Sequence, residues 1–523
     1  MAQTYLSPGV YVEEIPSGVR TITGVATSIT AFIGRTLRGP VNTPVRIQSY
    51  GDYARVFGGL WNDSTVSFAV NDFFRNGGTD AVIVRLENGA DAATVDIGGL
   101  ALEAATKGVA NPGDWANNLH GIVDLDVDPD APANTFNLTL QLLDRPDPVD
   151  GRVLSAETFR NVSTETTSPR FISDVLAQQS QFAHTTAVPA SPTAGDGMFG
   201  DTGAGFTEGT NGNVLASTDY DNPADVLMRE EKRGLYALED VDLFNLLVIP
   251  PRTPASEMPD TVLATALAYC QERRAMLILD PRDSWVDPAA VESDIDALRS
   301  ALGGTALGIN AMVYFPRLSI ANPLRDNRLE PIAPGGAMAG LIARTDTQRG
   351  VWKAPAGIDA SLIGARELSY TLTDGENGRL NPLGVNCLRT ITPYGNISWG
   401  ARTLAGDDRM ASEWKYIPVR RTALYIEESL FRGLHWVVFE PNDATLWGQI
   451  RLNVGAFMHN LFRQGAFQGT TPRDAYLVKC DAETNPQSQI DLGIVTVLVG
   501  FAPLKPAEFV IIQIQQLAGQ LEV

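Results

Sequence analysis

The 523-residue chain predicts a multidomain α/β protein with a mainly β acidic insert and strand-forming ends, and three observations lead there. After Asp225 short apolar runs alternate with helical stretches, the pattern of a parallel sheet covered on both faces. Residues 90–223 hold 19 Asp and Glu against 5 Lys and Arg, and their apolar runs are short and alternating. Both ends of the chain read as strands, although chain ends usually fray. The length exceeds what a single hydrophobic core spans and implies about three or four domains.

At the N-terminal end, Pro8 and Gly9 set a turn before Val10, Tyr11 and Val12, which form a short strand. Residues 24–34 follow as a buried strand, 49–59 as a short helix stopped by glycine, 67–78 as a helix stopped the same way, and 80–86 as a strand. Strand, helix, helix, strand makes an α/β layer.

In the acidic region, residues 122–127 and 135–143 read as strands of a small β domain facing water. Asp124, Asp126, Asp128 and Asp130 have the spacing of a calcium loop's first ligands. Pro129 stands where such a loop needs Gly, and Thr135 where it needs Glu, so the acids are expected on a strand's solvated face instead. Residues 187–212, dense in Gly, Thr, Ala and Ser, are expected as a mobile loop.

Beyond Asp225, residues 244–251, 276–280 and 310–316 are strands, and 260–275 and 287–302 are helices. Sheets of this kind bind ligands at the carboxyl ends of their strands. Asp280 and Asp283 lie there, but no phosphate-binding glycine loop and no metal-ligand spacing accompanies them. No catalytic residue, cofactor or metal is therefore expected.

Two helices follow, at residues 337–346 and 445–463. Residues 444–473 contain no Asp or Glu, yet hold Arg451, Arg463 and Arg473. These arginines either cap the end of a mostly buried helix or face a partner through weak, exposed charge contacts. The chain closes on a run expected as a strand over residues 508–516. Val510, Ile512 and Ile514 line one side of it, and Phe509 and Ile511 begin the other. Such a strand either fills a sheet of its own domain or is donated to a neighbouring copy.

Charged residues at 19% and hydrophobic ones at 44% mark a globular chain, and a net charge of −21 argues against a general nucleic-acid binder. No run suits a membrane span or signal peptide. Cys270, Cys387 and Cys480 are odd in number and widely spaced, as expected of reduced thiols in a bacterial-type cytoplasm.

Particular wordings point further. SPGVYVEE near the start, GVATS with AFIG, and FFRNGG before AVIVRL resemble the opening of contractile tail sheath proteins. PGGAMAGLIARTDTQRGVWKAPAG from Pro334, EWKYIPVRRTALYIEESLFRGLHWVVFEPND from Glu413 and the stretch from Asp474 to Gln516 are similar to that family's later blocks. The resemblance covers residues 1–88 and 225–523, and leaves the acidic insert unmatched. It implies a subtilisin-like α/β layer, an α+β C-terminal domain and exchanged terminal strands. It further implies stacked hexameric rings around an inner tube, contact with baseplate and terminal cap proteins, and contraction that drives the tube through a target envelope. Nucleic acid and direct membrane insertion are not implied. The expected division is 1–23, 24–89, 90–223, 224–385, 386–505 and 506–523, with bendable linkers at 17–24 and 502–506.

A subtilisin-like layer raises the question of a hydrolase, which needs a His to take the nucleophile's proton. Of His120, His184, His435 and His459, none falls between Asp225 and Pro382, so the domain that needs a base lacks one. A static tube or shell subunit is the other alternative, distinguished by the C-terminal blocks.

Overall fold

Every residue of the strands Thr30–Gly34, Ala81–Arg85, Leu246–Val248, Met276–Leu279 and Ala311–Phe315 is buried, which requires cover on both faces of their sheet. The computed structural model describes residues 20–128, 130–132, 134–201, 206–254 and 256–513. The chain divides into two units. The larger comprises Ala26–Arg421 and Pro506–Val523, and the smaller Met1–Val25 and Thr422–Lys505.

The larger unit is built on an eight-stranded sheet in the order Gly395–Ser398, Val385–Ile391, Ala311–Phe315, Met276–Leu279, Leu246–Val248, Thr30–Gly34, Ala81–Arg85, Val45–Ile47. The six inner strands are parallel and the two edge strands antiparallel. On one face Ile33, Val82, Leu247, Leu277 and Val313 form a core with Val262 and Ala266 of helix Asp260–Glu272 and with Val291, Ile295 and Leu298 of helix Pro288–Ala301. On the other face Phe32 meets Phe73 of helix Thr65–Arg75 edge-on at 5.5 Å. That helix packs on helix Gly335–Arg349 at backbone distance. A Cβ at Gly336 would sit 2.1 Å from the Ala69 carbonyl oxygen, and one at Gly340 2.3 Å from that of Phe73, so only glycine admits the approach.

Local chemistry sets the helix ends. The Ser49 side chain accepts the Asp52 N–H at the start of Tyr50–Phe57, and Gly58 at φ 90° closes it. Asp287 caps Pro288–Ala301 in the same way.

Within the acidic stretch lie two four-stranded sheets. One joins Ala183–Ala187, Leu100–Thr106 and Thr94–Ile97, with Val109–Ala110 added on Leu100–Thr106. The other runs Gly195–Met198, Leu119–Asp124, Thr135–Leu143, Val153–Ser163. Phe136, Leu138 and Leu140 alternate inward to a core of their own with Trp115 and Leu102. Two expectations are corrected here. The strand stops at Asp124, and Asp126, Asp128 and Asp130 follow it in a loop; the Asp124 and Asp128 carboxylates accept the N–H groups of Asp126 and Asp130. Part of the stretch expected as a mobile loop is ordered instead, because Gly195–Met198 pairs with Leu119–Asp124 and the Thr207 N–H bonds the Thr94 hydroxyl.

Helix Ile417–Gly433 begins in the larger unit and continues into the smaller one. The smaller unit also holds helix Ala444–Arg463 and an antiparallel hairpin, Tyr476–Lys479 with Leu498–Phe501. Among the described residues no helix is long and apolar enough to cross a membrane.

Candidate assembly surfaces

Two strands alone make a marginal sheet, so the hairpin of the smaller unit depends on what lies beneath and beside it. Beneath, the rings of Tyr476 and Phe501 lie tilted against Phe467, with centroids 6.3 and 5.6 Å away. Asn485, 1% exposed, pins the connecting loop by donating to the Thr496 carbonyl and accepting its N–H. Beside it there is nothing: among the described residues neither strand has a second partner, and Leu477 and Leu498 are about half exposed. The hairpin therefore presents two open edges and an apolar surface. Neither strand was read in the sequence, where this stretch was marked only by its resemblance.

The C-terminal run supplies the complementary feature. Residues 508–513 lie in no sheet within the chain, contrary to the reading in which they fill a sheet of their own domain. Phe509, Val510, Ile511 and Ile512 are 76–83% exposed. Glu508, just before them, is held by a bidentate ion pair to the buried Arg402. That anchor went unread in sequence, although Glu508 is the sole acid between Asp491 and Glu522. Ile514, Val10, Tyr11 and Val12 lie outside the described residues.

Neither expected linker is free throughout. On the N-terminal side the Arg20 N–H donates to Asn453 Oδ1 at 3.1 Å, Arg20 lies over the Trp436 ring, and the Val25 N–H meets the Ser429 hydroxyl. Ile22 is 6% exposed, and Gly24 sits where a Cβ would strike the Tyr425 hydroxyl. On the C-terminal side, Ala502 is bonded through both its N–H and its carbonyl. Close packing and satisfied backbone groups make these residues docked segments rather than hinges.

The three arginines separate. Helix Ala444–Arg463 buries Leu446, Ile450, Val454, Phe457 and Leu461, and its outward side carries Gln449, Leu452, Ala456, Asn460 and Arg463. Arg451 donates to the Cys480 carbonyl and so braces the end of a hairpin strand. Arg463 and Arg473 are exposed and make no salt bridge among the described residues.

The carboxyl ends of the central strands hold a cavity of about 300 Å³ lined by Phe68, Pro251, Ile320 and Ile332, with Arg317 and Asp283 at 3.6 Å and Arg325 and Glu330 at 3.0 Å. Its charges are matched internally, and no histidine lines it. Asp280 is half-buried and accepts the Gly335 N–H at 2.7 Å, at the start of helix Gly335–Arg349; desolvation lifts its carboxyl to about 7. The histidines have local partners: His120 with Asp196, His184 near Glu103, His435 against the Phe431 ring and His459 with Tyr476. Among the described residues no cluster suits a metal ion. All three cysteines are free and buried.

Residues 410–516 match the phage tail sheath C-terminal domain. The chain is 29% identical over 286 residues, 53% of its own length and 67% of the relative's, to a prophage major tail sheath protein of Pseudomonas aeruginosa (strain UCBPP-PA14). It is 26% identical over 185 residues, 35% of its length, to the tail sheath protein of Vibrio phage KVP40, and spans 26% of that longer protein. Its fold is similar to the PVC sheath of an extracellular contractile injection system in the contracted state, with a TM-score of 0.58 and 22% identity over 98% of this chain and 99% of that one. These relatives are structural sheath proteins, not enzymes.

Proposed function

We propose, from a chain that is a homologue of tail sheath proteins and carries the phage tail sheath C-terminal domain, that it is the subunit of a contractile sheath linked by exchanged strands. The observation that carries this is the presence, in one chain, of a hairpin with two open edges and a C-terminal apolar run, both without a strand partner among the described residues. A strand added to an exposed sheet edge satisfies the backbone of both partners. Burying Phe509, Val510, Ile511 and Ile512 contributes roughly 1.5 to 3 kcal/mol each, enough to leave a net gain after the cost of association.

On this reading Phe509, Val510, Ile511, Ile512 and Ile514 from one copy, and Val10, Tyr11 and Val12 from another, complete the hairpin of a third. Copies stack as hexameric rings around an inner tube, and contraction rearranges them into a wider, shorter helix without breaking the exchanged strands. Arg463 and Arg473 face the tube. Baseplate and cap proteins close the ends of the cylinder, and assembly takes place in the bacterial cytoplasm, where the free thiols stay reduced.

Negative-stain microscopy of the protein expressed alone tests the reading. Long hollow cylinders are expected, and monodisperse globules at all concentrations would overturn it. A static shell subunit also forms polymers, so the cylinders are expected in two lengths per subunit, extended with tube present and contracted without it.

A further inference from the structure

The Arg402 side chain is 1% exposed and uses all three of its nitrogens. Nε and one Nη donate to the two oxygens of Glu508 at 2.7 and 2.6 Å, and the other Nη donates to Asp408 at 2.9 Å. The Tyr416 hydroxyl gives Glu508 a third bond at 3.2 Å, and Lys415 holds Asp408. A planar fork on a carboxylate fixes direction as well as distance, which a point charge does not.

Behind the fork, the backbone of Arg402 is tied to the central sheet. Asn386 accepts its N–H at 2.7 Å, and the Asn386 amide donates to the carbonyls of Arg402 at 2.8 Å and of Val313 at 3.0 Å. Asn386 and Val313 belong to adjacent strands of that sheet, Val385–Ile391 and Ala311–Phe315. Ahead of the fork, Phe509 to Ile512 are exposed and pair with no strand among the described residues. Among the described residues, the side-chain anchorage of this segment therefore ends at Glu508.

We propose that Arg402 and Glu508 anchor the outgoing C-terminal segment, that tension on it reaches the central sheet through Arg402 and Asn386, and that the segment pivots after Glu508. This rests on reading that segment as a link between copies. With Glu508 released, the same tension falls on the backbone bonds of Ala502, which can be peeled one at a time, whereas the fork must break as a unit. Arg402 and Glu508 are positioning residues: they aim and hold a strand whose pairing is made by others.

The native cysteines are buried, so a spin label on Ala507→Cys or Ile512→Cys reports on one site. In dissociated full-length subunits, the label at 507 is expected immobile and that at 512 mobile; adding Glu508→Gln should free the label at 507 and leave the circular dichroism unchanged. Cylinders of Glu508→Gln should lose subunits roughly tenfold faster in mild denaturant than wild type. Arg402→Lys, which keeps the charge and loses the fork, should fall between the two. An immobile label at 507 in Glu508→Gln overturns the anchor, and so does a freed label with cylinders of wild-type durability. Truncation after Glu508 separates the two readings: if cylinders still form, the C-terminal segment is not the link, whereas the label at 507 continues to report on the anchor.

Discussion

Asp72 sits on helix Thr65–Arg75 at 2% exposure with neither carboxylate oxygen bonded among the described residues, and burial raises its carboxyl to about 7. The native fold therefore favours the protonated form, while an unfolded chain releases that proton near pH 4. Stability from this group is fully present below about pH 4 and is lost as pH rises through about 7. Asp72→Asn keeps the shape without the charge, so its stability relative to wild type should rise from pH 5 to pH 8 by a few kcal/mol. Urea unfolding of both proteins at the two pH values checks this, and a pH-independent difference would refute it. Asp346 is the opposite case. It is 4% exposed at its side chain, forms a two-bonded ion pair with the equally buried Arg421 and accepts the Thr27 hydroxyl, while Arg421 also donates to the Thr27 carbonyl. Asp346→Ala strands a buried guanidinium and should cost about 3 to 5 kcal/mol in the same assay. Sequence separated neither acid from the many others, because what distinguishes them is the partner that folding brings.

At the level of elements, most of the layer was legible. The strand Thr135–Leu143 stands where its alternation placed it, and the helices beginning after Ser49 and Asp287 follow their caps. Helix Gly335–Arg349 was seen, but not why it holds Gly336 and Gly340: glycine spacing gives no hint of the partner until Ala69 and Phe73 are found against it. Gly340→Leu should prevent this pair from closing and yield insoluble protein, while Gly375→Ala, where a Cβ meets open space, should be neutral. The acidic insert was legible as β structure, but its attachment was not. The chain crosses itself where the Asn213 N–H bonds the Asn88 carbonyl, and Leu215 and Tyr220 already belong to the core of the central layer. Arg85, 3% exposed, donates to Asn111 and to the Pro112 carbonyl, both inside the insert. Replacing residues 89–212 by a short Gly and Ser linker should therefore leave cylinders intact only when Arg85→Met removes the charge the insert satisfies. With Arg85 retained, the deletion removes its bonds to Asn111 and Pro112 while that to the Gly39 carbonyl remains, and should lower stability by roughly 1 to 3 kcal/mol, read by thermal unfolding.

For the whole molecule, a net charge of −21 makes any surface without carboxylates informative. Residues 444–473 are a run without carboxylates, and on the proposed function two physical demands meet on its exposed side. A tube contact must be strong enough over many rings to hold the extended sheath in register, and weak enough per subunit to release when the sheath contracts. Exposed charge pairs suit this, at about 1 kcal/mol or less each, because repetition multiplies a small contribution without making any contact hard to break. Sequence could not rank the three arginines. All three are exposed in the fold, but Arg451 is engaged with the Cys480 carbonyl at the hairpin, which leaves Arg463 and Arg473 as the pair to meet a partner. The two roles predict different failures. Arg451→Glu should weaken the hairpin and reduce polymer of every kind. Arg463→Glu with Arg473→Glu should leave polymerisation intact, since the hairpin and both termini are untouched, yet shift particles to the contracted form with little co-purifying tube. Electron microscopy of particles purified at low and high salt, with the tube protein co-expressed, reads both outcomes. Extended, tube-filled particles at wild-type frequency in both salts from the double variant would show that the tube is held elsewhere.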